Sequence, residues 1–159
     1  MFYLRDKQWL TWDIKLTDDG ELDAIFIVID GAMEKWERSE HSVLLYDTKH
    51  GTNRYGFKVG CLTSVDSNGK TTILAVSFVM HEDAESFKWV FDRFQEALGA
   101  PKVIFSDGDI AMAQAVEQFW PDVIHLLCTF HIWKNFYQHV HPLFQGKKKE
   151  WQDVAKRWW

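Results

Sequence analysis

Short apolar runs that end at polar turns alternate along this chain with longer stretches in which apolar residues return every three or four positions. Val43-Leu44-Leu45-Tyr46 runs into Asp47, and Val103-Ile104-Phe105 runs into Ser106-Asp107-Gly108-Asp109. Each reads as a buried strand that stops at a carboxylate. Between them, Phe57–Val65 and Thr71–Met80 flank Asp66-Ser67-Asn68-Gly69, a strong turn signal that predicts an antiparallel hairpin. Trp9–Leu16 and Ala24–Ile29 flank Asp18-Asp19-Gly20 in the same way and predict a first hairpin. Val123–Leu127 is the last strand candidate.

The helical periods fall between these runs. Gly31–Glu40 is short, charged and compatible with a helix. Over Glu82–Ala97 and just beyond, Phe87, Val90, Phe91, Phe94 and Leu98 recur at steps of three and four. Glu82, Asp83 and Glu85 suit its positive N-terminal end, and Gly99-Ala100-Pro101 stops it. Ile110–Trp120 is the next helix, broken by Pro121. From Thr129 another carries Ile132, Phe136 and Val140 and ends at Pro142. Gly146-Lys147-Lys148-Lys149 reads as a basic loop, and Trp151, Val154, Ala155 and Trp158 as the apolar face of a last helix. With no following element to cover it, that face is expected to form an exposed aromatic patch.

Three consecutive strands followed by β-α-β-α predict a mixed α/β sheet with flanking helices. Right-handed crossovers place the strand ending at Asp107 beside the one ending at Asp47. That is the ribonuclease H-like arrangement, antiparallel hairpin strands plus parallel strands. Residues 1–40 are expected to lead into a core spanning 41–141, with 142–159 beginning a further helical region cut short.

The 159 residues suffice for one sizeable core, and 47% apolar with 26% charged residues is ordinary for a globular chain. Nine tryptophans are the unusual item. A formal net charge of −5 gives no broad cationic field, so nucleic acid would be gripped through local patches. Two cysteines make no disulfide framework, no run spans a bilayer, and Met1–Asp6 lacks the features of a signal peptide. The expectation is a soluble, intracellular protein.

Asp47 and Asp107, brought to one sheet edge, form a hard-oxygen site suited to magnesium or manganese. The bland alternative is a pair of strand-end caps, with Asp109 the better cap for the helix at Ile110 and an alternative ligand. Cys128 and His131 lie one helical turn apart. Zinc would need further ligands from Cys61, His125, His139 or His141, at no recognisable spacing, so the pair reads as structural. Lys49, Asn53 and Arg54, in the polar stretch after the first core strand, and Lys147, Lys148 and Lys149 are candidate DNA contacts.

Asp47-Thr48-Lys49-His50-Gly51-Thr52-Asn53-Arg54-Tyr55 resembles a signature of Mutator-like element transposases, with His50 and Gly51 departing from its usual form. Ser106-Asp107-Gly108-Asp109 with Ala111-Met112, then Phe119-Trp120-Pro121, resembles a second. Cys128-Thr129-Phe130-His131 resembles the C-x-x-H motif that follows the fifth strand there. Plant far-red-response regulators, which are domesticated transposases, share these motifs. The resemblance implies DDE-type chemistry, in which two Asp and a Glu hold two divalent ions. Asp47 and Asp107 match the two aspartates. The third acid lies beyond the C-x-x-H motif in that family, Glu150 is not assigned to it, and the 159-residue chain alone is expected to be inactive. The implied setting is nuclear, with transposon-end DNA as partner, a homo-oligomer, and no membrane. The competing expectations are a transposase-derived DNA-associated regulator without catalysis and an inactive truncated remnant.

Overall fold

The computed structural model describes residues 12–66 and 68–158. Seven strands form one mixed sheet: β1 (Trp12–Leu16), β2 (Leu22–Val28), β3 (Val43–Lys49), β4 (Lys58–Val65), β5 (Thr71–Val79), β6 (Val103–Ser106) and β7 (Ile124–Leu127). Their spatial order is β1-β2-β5-β4-β3-β6-β7. β3, β4 and β5 make an antiparallel meander, and β6 and β7 add in parallel on the β3 side. This is the ribonuclease H-like topology read from the strand order. The first hairpin is an edge of the same sheet, because β2 pairs antiparallel with β5. Residues 9–11 of its first expected strand lie outside the described residues.

The helices are α1 (Ala32–Arg38), α2 (Ala84–Leu98), α3 (Ile110–Phe119), α4 (Thr129–Val140) and α5 (Lys148–Trp158), with a 3₁₀ turn at His141–Phe144. α2 starts where Asp83 accepts a hydrogen bond from Ser86 N at 2.8 Å and ends at Gly99, the terminators expected of it. Its stripe Phe87, Val90, Phe91, Phe94 and Leu98 is buried together with Phe26, Leu44, Tyr46, Leu62, Leu74 and Ile104 of the sheet. Burying each large side chain contributes roughly 1.5–3 kcal/mol, so this face dominates the stability of the domain. Trp36 of α1 and Trp120 at the end of α3 close it, in ring contact with Phe94 and Phe91. The other face of the sheet leaves Trp12, Ile14, Ile124 and Leu126 exposed.

One close approach fixes the sheet centre. A Cβ on Gly60 of β4 would lie 2.5 Å from the Tyr46 ring and 2.4 Å from Ser77 Oγ. Only glycine lets the Tyr46 ring cross that strand and share a 2.9 Å hydrogen bond with Ser77.

Two expectations for the C-terminal part are corrected. Lys148 and Lys149 are not in a loop but in the first turn of α5, and only Lys147 precedes it. Trp151 is not left uncovered. The 3₁₀ turn brings α5 back beside α4, and Trp151 packs on Trp133, Phe136, Tyr137, His141 and Phe144 with ring centroids 4.8–6.2 Å apart. Consecutive amphipathic helices meet through their own apolar stripes, and that pairing supplies the cover.

Candidate active site

β3 and β6 run parallel with Leu45 level with Phe105. Two residues further along each strand lie Asp47 and Asp107, so the register carries both to the same end of the sheet. Alternation along β3 sends Leu44 and Tyr46 into the core and turns Asp47 to the open face, where it is exposed. Asp107 follows the last residue of β6. Its Oδ1 accepts a hydrogen bond from Asp109 N at 3.1 Å, while Asp109 Oδ1 accepts from Met112 N at 2.8 Å. Asp109 therefore caps α3, and the tight turn holds the Asp107 carboxylate beside the strand end.

The strand after β6 delivers a third group. Cys128 N donates to Ser106 O at 2.7 Å, which starts α4 at the same sheet end. One turn into α4, His131 Nε2 lies 3.7 Å from Asp47 Oδ1, within ion-pair reach and beyond hydrogen-bond length. His131 Nδ1 is buried without a hydrogen-bond partner among the described residues. The C-x-x-H pair read as structural is thus divided. Cys128 takes the N-cap position of the helix, and His131 faces the carboxylate.

Glu82 was counted only as an acid near the N-terminus of α2. It reaches back to β3, accepting from Thr48 Oγ1 at 2.6 Å and pairing with His50 Nε2 at 3.1 Å. This clamp fixes the residues on either side of Lys49 just beyond Asp47. Beneath it, burial pushes the Tyr46 hydroxyl well above the ordinary phenol range, outweighing its hydrogen bond with Ser77, and the Glu82 and Asp107 charges push the same way. Tyr46 is a neutral post under the site.

Of the candidate DNA contacts, Asn53 is occupied within its loop. Its amide donates to Phe57 O at 2.7 Å and accepts from Tyr55 N and Phe57 N at 3.1 and 3.2 Å. Arg54 and Lys49 are exposed, Arg54 lying over the Tyr55 ring. Lys147, Lys148 and Lys149 are exposed around the start of α5.

Divalent magnesium is bound through one or two carboxylates plus substrate phosphate oxygens. The ends of β3 and β6 bring two carboxylates to one end of the sheet, and carboxylate oxygen is the donor type such an ion takes. Among the described residues, no group of three or more His, Cys, Asp and Glu is gathered to hold a metal.

Two carboxylates thus end adjacent parallel strands of a ribonuclease H-like sheet. The chain belongs to the MULE transposase domain family, which it matches over residues 43–135. It is 30% identical over 109 residues to Protein FAR1-RELATED SEQUENCE 5 of Arabidopsis thaliana, a match covering 64% of this chain and 14% of that protein. It is 26% identical over 161 residues to Protein FAR-RED IMPAIRED RESPONSE 1 of the same plant, covering 92% of this chain and 19% of that protein. The chain spans less than a fifth of the length of either relative. Among solved structures it is similar to the HTLV-2 integrase catalytic core domain in complex with magnesium, at 16% identity and a TM-score of 0.42, over 68% of this chain and 74% of that one. Among the described residues, no helix is long and apolar enough to cross a membrane.

Proposed function

We propose that this domain belongs to a DDE-type transposase core that cleaves and transfers DNA strands at transposon ends. The observation that carries the reading is the shared sheet end of Asp47 and Asp107, set by the parallel register of β3 and β6. Asp47 and Asp107 are the ligands for magnesium or manganese. Such an ion, when bound, neutralises charge that builds on the phosphate oxygens during phosphodiester chemistry. The chain's own residues do the positioning. The Asp109 amide orients Asp107 through its 3.1 Å hydrogen bond, His131 faces Asp47, and the Glu82 clamp on Thr48 and His50 keeps the end of β3 in place. Lys49 and Arg54 lie beyond Asp47 on the DNA side, with Lys147, Lys148 and Lys149 as a second cationic patch. The setting is the nucleus, and the working form is a homo-oligomer on duplex DNA.

A second reading is favoured by the relatives, since two of the matched proteins belong to the far-red response group. In it the same domain is retained as a DNA-associated regulator without catalysis. Manganese binding by this chain, read as enhanced water-proton relaxation, and magnesium-dependent nicking of supercoiled plasmid by the full-length protein, since the 159-residue chain alone is expected to be inactive, separate the two. Metal binding lost in both Asp47→Ala and Asp107→Ala, together with Asp107-dependent nicking, supports the enzyme. Metal binding without nicking favours the regulator. Binding unaltered by either substitution refutes the site.

A further inference from the structure

α4 presents His131, Ile132, Asn135, Phe136 and His139 along one helical stripe, at spacings of one, four, five and eight residues. This stripe faces Gly108 and Leu127 across an open groove of about 370 Å³. Two of its walls belong to the acidic site: Gly108 directly follows Asp107, and His131 faces Asp47. The groove therefore adjoins the carboxylate pair.

Its chemistry is that of a planar, partly polar guest. Leu127, Ile132 and Phe136 give apolar walls, with Leu127 and Ile132 held open to solvent. Phe136 is fixed from behind by its stack on Trp151, so its ring is a firm wall. Asn135 and His139 bring hydrogen-bonding side chains to the rim. The volume lies at the low end of small-ligand sites, far too small for a duplex. Proteins that take a base out of the stack read it by stacking on aromatic and apolar side chains and by hydrogen bonds to its edge. Asparagine is well suited to that edge contact.

We propose that this groove receives one unpaired nucleobase adjoining the phosphate that a divalent ion on Asp47 and Asp107 would hold. The proposal rests on the strand-processing reading of the site. A base already outside the duplex spares the unstacking cost, so an extrahelical base should bind the chain more tightly than a paired one.

The test compares two fluorescein-labelled duplexes of one sequence by anisotropy, in magnesium at low salt. One is fully paired and one carries a single bulged 2-aminopurine. The bulged duplex is expected to bind about tenfold tighter, the scale of one base stacked on an aromatic wall. Ile132→Trp and Gly108→Leu fill the groove from opposite walls. A Cβ on Gly108 meets nothing within 4 Å, so that variant adds bulk only to the open space. Both should abolish the advantage of the bulged duplex. Equal binding of the two duplexes by the unaltered chain overturns the groove proposal alone, as does an advantage that survives both filling variants. Failure to bind either duplex overturns the strand-processing reading as well.

Discussion

His131 Nε2 stands 3.7 Å from Asp47 Oδ1, joining the helix after the edge strand to the carboxylate of a central one. The other ring nitrogen is buried without a partner among the described residues, an arrangement that costs about 1–3 kcal/mol. We propose that the ring orients the carboxylate it faces. Partners that orient a metal ligand are worth roughly 10–100-fold in metal affinity. His131→Ala should weaken manganese binding by that factor while leaving thermal stability unchanged or improved. Unaltered binding with a large loss of stability would make His131 a packing residue only.

Asp107 and Asp109 divide two roles that are one residue apart on the sequence. Asp109 Oδ1 caps α3 through Met112 N, and replacing such a cap costs about 0.5–2 kcal/mol. Asp109→Ala should therefore lower the urea midpoint. Asp107→Ala should abolish manganese binding with a smaller effect on unfolding. The opposite pattern would exchange ligand and cap.

Much of this was legible in the sequence for local reasons. An apolar run closed by a carboxylate shows a strand and its end together, and after the β3-β4-β5 meander the return through α2 brings β6 to the free side of β3. The shared sheet end of Asp47 and Asp107 followed from those two facts. The His131 contact was not legible, because the angle at which α4 leaves β7 is set by packing and not by spacing. The signal that pointed to it was the position of the C-x-x-H pair immediately after a strand next to β6. Glu82 misled for the same reason: its place before α2 suited a helix-dipole role, while Thr48 and His50 are remote in sequence. Trp151 was read as uncovered because an apolar stripe shows that a helix has a partner and not which one.

Gly60 tests how far the core supports the site. A methyl group there must displace Ser77 Oγ or the Tyr46 ring, both pinned by their mutual hydrogen bond. Overpacking of this kind costs typically 1–3 kcal/mol. Gly60→Ala should lose that much stability in urea. Because Tyr46 precedes Asp47 on β3, manganese affinity should fall with it, and Gly60→Ala in a Tyr46→Leu background should regain part of the loss. A neutral Gly60→Ala would mean that the strands part more easily than this contact implies.

The last prediction concerns acid stability. His125 on β7 shares a 2.8 Å hydrogen bond with the buried hydroxyl of Ser106, and burial holds its pKa below the ordinary histidine value of about 6.5. The folded state therefore takes up its proton less readily than the unfolded chain. Between that lowered value and about 6.5 the unfolded state binds more protons, so stability rises with pH there. The contribution is fully present above about 6.5 and is lost as the pH falls toward and through the folded value. Melting temperature should drop between pH 7.5 and pH 5.5, and His125→Gln, which keeps a polar group near Ser106 without a titrating ring, should flatten part of that slope. Because Ser106 precedes Asp107, the same acidification should loosen the turn that carries the second carboxylate, read as a loss of manganese binding smaller in His125→Gln than in the unaltered chain. A slope identical in the two proteins would remove His125 as its source.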